Sequence, residues 1–162
     1  MDFSIFALCK YSSEDTYFIE PTKKYFDLYS REFIDEVNKY SFGATDKFAI
    51  CRIYQSGKAI HVSHFNNYVR ELYTKNNKNF DNDIFKGIGK LLLKNILSYL
   101  IKIQQIKYDD KIYLEMVNTK NKKLVQFYES LSFVLENEYN FSSTVDEVMN
   151  RLLVYPIIEN HI

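Results

Sequence analysis

Gly87 and Gly89 stand in the run Ile84-Phe85-Lys86-Gly87-Ile88-Gly89-Lys90, at the point where a strongly helical pattern begins. Glycines there let backbone amides come close to an anion, and a helix start adds roughly half a positive charge. The chemistry that suits this arrangement is phosphate binding. A nucleoside-triphosphate loop would need glycine at Ile84 and a hydroxyl residue at Leu91; a dinucleotide fingerprint would need a third glycine at Leu92. Neither pattern fits. The titratable candidates near this run are Glu71 and His64 before it and Glu115 and Tyr128 after it. A carboxylate or imidazole can take a proton, and a phenol, with a reference pKa near ~10, can give one. Each is equally at home in a salt bridge or, for Tyr128, on an aromatic helix face, one of 14 tyrosines in the chain.

These residues need elements to hold them. Residues 4–9 and 16–19 are apolar enough for a first strand. After Pro21, Phe26, Tyr29, Phe33, Val37 and Tyr40 recur at three-to-four spacing, which predicts one amphipathic helix closed by Gly43. Residues 48–54 and 59–65 read as a hairpin around Gly57, residues 68–73 as a further strand, and residues 74–83 as a polar loop. From Gly89, the stripe Leu92, Ile96, Leu100 and Ile103 opposes Lys90, Lys94, Ser98 and Lys102, a helix buried on one face. Residues 111–117 suit a central strand. A helix capped by Asn118 or Thr119 follows, with Leu124, Phe127, Tyr128 and Leu131 on its apolar face. Residues 133–135 and 148–155 supply two last strands with a polar connection between them. The fold class expected is α/β (α+β), a mixed, mainly antiparallel sheet flanked by helices, in a single domain over residues 1–162.

The chain carries 21 basic and 21 acidic residues, so a protein that coats nucleic acid by neutralising phosphates is not expected. The balance hides an asymmetry: residues 1–40 carry −3, residues 41–128 carry +8 and residues 129–162 carry −5. Acidic residues in the outer parts, such as Asp35, Glu36, Asp146 and Glu147, could attract a cationic acceptor. Cys9 and Cys51 fit neither a disulfide framework nor a zinc module, and a reducing, intracellular (cytoplasmic) setting follows. No leader is visible, and the apolar stretch 91–106 is broken by Lys94 and Lys102, so a soluble chain with no membrane partner is expected.

The glycine run is followed by Leu114-Glu115-Met116-Val117, Asn121, Leu124, Phe127-Tyr128 and Phe133. Together these resemble the GNAT family of acetyl-CoA-dependent N-acetyltransferases, with its [R/Q]-x-x-G-x-[G/A] motif, then strand, Asn, helix and [L/F]-Y-x-x-x-G-F. The resemblance spans about residues 68–135, with Ile84 in place of Arg or Gln and Ser132 in place of Gly. It implies that amides of Lys86, Gly87, Ile88, Gly89 and Lys90 hold the pyrophosphate of acetyl-CoA, a co-substrate, with no metal. Leu72, Tyr73 and Thr74 would pair with the pantetheine arm, Asn121 would touch it, and Lys120, Lys122 and Lys123 would meet phosphates. Tyr128 would be the general acid and Glu71 the base, with Glu115 and His64 as alternatives. The implied function is acetyl transfer to a primary amine on a small molecule or protein, by direct attack in a ternary complex; a homodimer is compatible with the resemblance. The alternative is a catalytically inactive acyl-CoA-binding or protein-interaction module of the same fold, for which Ile84 argues. An aromatic-rich RNA-binding domain is the least supported reading.

Overall fold

The computed structural model describes residues 2–12, 14–42, 47–70, 85–115, 117–138 and 140–162. Its centre is an eight-stranded sheet in the order β6-β7-β5-β4-β3-β2-β1-β8. The strands are β1 (Phe6–Lys10), β2 (Thr16–Pro21), β3 (Ala49–Ser56), β4 (Ala59–Asn67), β5 (Lys111–Leu114), β6 (Val134–Leu135), β7 (Phe141–Thr144) and β8 (Glu159–Asn160). Among the described strands, only the β4–β5 and β1–β8 pairs are parallel. Five described helices accompany the sheet: α1 (Lys23–Leu28), α2 (Arg31–Asn38), α3 (Ile88–Lys102), α4 (Lys122–Ser130) and α5 (Val145–Asn150). A mixed, mainly antiparallel α+β architecture is therefore present, as the patterning predicts. No described helix is long and apolar enough to cross a membrane.

Alternation decides which face of the sheet is the core. Leu8 pairs with Ile19, Ile19 with Ala49, Ile53 with Val62, and Val62 with Leu114, and these side chains are buried together with α3. The other face carries Cys9, Phe18 and Ile50 in a small cluster, then the row Tyr54, His61 and Tyr113, whose rings stack at 5.2 and 5.6 Å. On α3, Leu92, Ile96 and Leu100 are buried as expected, but Ile103 lies beyond the helix and is 41 % exposed.

Several expectations are corrected. The single helix after Pro21 is two, because Ser30 takes an extended conformation and its hydroxyl accepts the Phe33 amide at 3.2 Å, which starts a new helix. Tyr25, not Phe26, faces the core from α1. The second helix ends at Asn38; Gly43 lies outside the described residues. Tyr68 and Val69 form a turn and Arg70 is helical, so the strand expected over 68–73 does not begin where the sequence placed it; Glu71, Leu72 and Tyr73 lie outside the described residues. The cap of α4 is Asn121 rather than Asn118 or Thr119. Residues 148–155 are not a strand. The strand is β7, and Thr144 ends it by accepting the Glu147 amide at 3.2 Å, starting α5, where Val145 and Val148 are buried one turn apart.

Candidate functional site

The parallel β4–β5 ladder runs only from Ile60–Ile112 to Val62–Leu114, with a last bond from the Glu115 amide to the Val62 carbonyl at 3.4 Å. Beyond it β4 continues to Asn67 while β5 has ended, so the two strands part. At the same place β4 has one residue more than β3 between the pairs Ile50–Asn66 and Arg52–Ser63. His64 absorbs it with a φ of +50°, in the left-handed region. Such a bulge re-aims the residues after it. Here these are Phe65, Asn66 and Asn67, which line a cleft of about 710 Å³ between the strand end and α4.

Gly87 and Gly89 form part of that cleft. Gly87 is the residue before α3 and has a φ of +79°, where a side chain is strained. The first helical amide to find a carbonyl is that of Leu91, which donates to Gly87 at 2.9 Å. The amides of Ile88, Gly89 and Lys90 precede it in the helix and have no carbonyl of their own turn to bond. A Cβ on Gly89 would come 3.1 Å from the Phe65 ring, so glycine is what lets β4 approach the helix start. Arg70, Lys86, Lys90 and Lys123 also line the cleft, and no carboxylate is among its described lining residues. Lys90 lies over the Phe127 ring at 5.7 Å, leaving apolar wall and cation side by side. Asn67 Oδ1 is buried in this setting with no hydrogen-bond partner among the described residues. A larger hollow of about 740 Å³ lies beside β6, but in its lining Glu129 and Glu147 outnumber Arg151 and disfavour an anion there.

Tyr128 reaches the cleft from α4 and is 7 % exposed. Burial, with Cys51 nearby, pushes its phenol up to about 12. Asn121 is exposed, and its side-chain oxygen accepts the Leu124 amide at 3.1 Å, so it starts the helix that carries Tyr128 rather than lining the cleft. Lys120 and Lys122 are also exposed and outside the cleft lining. Ser132, where the resembled motif has glycine, has a φ of +66°; its hydroxyl lies 3.0 Å from that of Ser143, a contact that offsets part of the strain.

Among the base candidates, His64 is an exposed bulge residue. Glu115 stands at the fork itself: Tyr54 donates to its oxygens at 3.1 and 3.0 Å, and His61 Nδ1 lies 2.6 Å from Oε1. Glu71, the first candidate, lies outside the described residues with Leu72, Tyr73, Thr74 and Ile84. No family model, curated protein or solved structure matches the chain.

Sequence reasoning missed Phe65, Asn67 and Tyr155. Phe65 was legible only as the last residue of a hairpin strand, and Asn67 only as one of a polar pair. Tyr155 comes from a terminal segment that reads as a strand, yet it lines the cleft against Gly87. Burial raises its phenol above the ordinary range, with the nearby Lys86 charge opposing.

Proposed function

We propose that the cleft binds acetyl-CoA and that the chain transfers its acetyl group to a primary amine by direct attack, as GNAT-type N-acetyltransferases do. The observation that carries this reading is a cleft at the β4–β5 fork with helix-start amides that no described carbonyl accepts, four cations and no described carboxylate. The amides of Ile88, Gly89 and Lys90 suit a diphosphate. Asn67 Oδ1, the unpaired acceptor, suits an amide N–H of the pantetheine arm. The arm's partner strand is then β4 around Phe65–Asn67, upstream of Leu72–Thr74.

In the reaction the amine nitrogen forms a bond to the thioester carbonyl carbon, the carbon–sulfur bond breaks, the nitrogen loses one proton and the sulfur gains one. Tyr128, raised to about 12, is protonated at every pH at which the enzyme would work. Its acidity is lower than that of a thiol by roughly 3 units, so it donates a hydrogen bond to the developing thiolate, and the proton the sulfur gains comes from solvent. Glu115, beside the end of the β4–β5 ladder, is the carboxylate we assign to accept the amine proton, and the Tyr54 hydroxyl donates to it.

Calorimetry with acetyl-CoA tests the reading. Saturable heat with wild type and none with Gly87→Glu is expected; no heat with wild type overturns it. Thiol release with a broad panel of amines then separates an enzyme from a module that only binds.

A further inference from the structure

On the sheet face away from α3, the register brings three chemically distinct ligand groups together from three elements. Glu20, Ala7 and Glu159 form one cross-strand row through β2, β1 and β8. Cys9 and His161 continue it on the next row, where the His161 amide donates to the Leu8 carbonyl at 2.9 Å. Ala7, between the two glutamates in that row, is fully buried. The Cys9 thiol is buried, on an apolar floor with Phe18 and Ile50.

We propose that Cys9, Glu20 and His161 form a binding site for a zinc-class divalent ion. One ligand atom from each lies within 4.8 Å of the others. His161 Nδ1 and Glu20 Oε1 are 3.3 Å apart. Two ligands about 2.0–2.1 Å from zinc at the tetrahedral angle lie about 3.3–3.4 Å apart, so this pair is already set. The second ring nitrogen, Nε2, lies 3.1 Å from Glu159 Oε1. Metal-bound imidazoles use that outer hydrogen bond to a carboxylate to fix tautomer and orientation. Thiolate, imidazole and carboxylate together select zinc-like ions over magnesium or calcium, which take oxygen ligands. A fourth position remains for water. The sequence alone pointed to no metal, because the ligands follow no short spacing.

The test titrates Zn²⁺, and Mg²⁺ in parallel, into reduced, metal-free protein and reads the heat. One zinc per chain and no magnesium heat are expected. His161→Gln, a change on a partly exposed side chain that leaves the core intact, should lower zinc affinity at least about tenfold, and Glu159→Gln about 10–100-fold. Co²⁺ should give thiolate-to-metal charge-transfer absorption, lost in Cys9→Ser. Absence of one-to-one zinc binding, affinity unmoved by His161→Gln, or a cobalt complex without the thiolate band would each overturn the proposal. Acetyl-CoA calorimetry is independent of all three outcomes.

Discussion

The Tyr155 hydroxyl occupies the space a side chain on Gly87 would need, 2.7 Å from where a Cβ would stand. Gly87→Ala therefore meets two penalties, this clash and a left-handed backbone worth about 1–2 kcal/mol. Tyr155→Ala relieves only the first. A double-mutant cycle by denaturant unfolding should give less than the sum of the two single costs, and strict additivity would show that the two residues do not touch in solution.

Tyr128→Phe keeps the ring in its apolar site and removes the hydroxyl. Under the acetyltransferase reading, turnover should fall about 10²-fold while acetyl-CoA affinity stays within about twofold. Equal turnover in the two proteins would remove the hydroxyl from the chemistry.

Glu115→Gln keeps the shape at the fork and abolishes the charge. Turnover measured from pH 6 to 10 should drop at least about tenfold across the range, with acetyl-CoA binding retained. Unchanged rates would shift the base to a residue outside the described set.

Tyr17 and Tyr128 are both raised from 10.0 to about 12, chiefly by burial. Their protonated forms are favoured by folding, so this contribution is complete below pH 10 and is lost as pH climbs from 10 to 12. The buried Cys9 and Cys51 thiols, also pushed up by burial from 9.0, start the loss below that window, near pH 9. Melting temperature should hold to about pH 9 and fall above it. In Tyr128→Phe the fall between pH 10 and 12 should be shallower, and an identical profile would mean that the phenol titrates normally.

Asn95 is 3 % exposed on α3, donates to the Leu91 and Pro156 carbonyls at 2.9 and 3.0 Å, and accepts the Ile158 amide at 2.9 Å. Asn95→Leu leaves the Ile158 N–H without its partner, at a cost of about 1–3 kcal/mol. A thermal shift of about −2 to −8 °C is expected, with faster amide exchange around residue 158. A shift within about 1 °C would mean that the terminal segment is held by other contacts.

The sequence made α3 and the hairpin readable because each satisfies one period over many residues, with Gly57 at a φ of +63° marking the turn. The glycine run was readable for the same local reason. Asn95 was not: within α3 it looks like an ordinary polar residue, and two of its three partners lie more than sixty positions away. The strand Phe141–Thr144 was hidden by its serines, of which Ser143 pairs with the Ser132 hydroxyl and donates to Glu147. Val148 and its apolar followers misled in the opposite direction, since Leu153, Val154 and Ile157 are exposed. Cys9 and His161 meet only through the register of β1 and β8, which no spacing rule contains.

The stretch after Arg151 covers Gly87 with Tyr155 and then lines the outer flank of β1 with Glu159 and Asn160. A protease that nicks it at the solvent-facing Leu153 or Val154 would unroof the cleft beside Gly87 and loosen that flank in one event. Resistance to digestion, followed over time, would then report occupancy of the cleft without any chemistry being run.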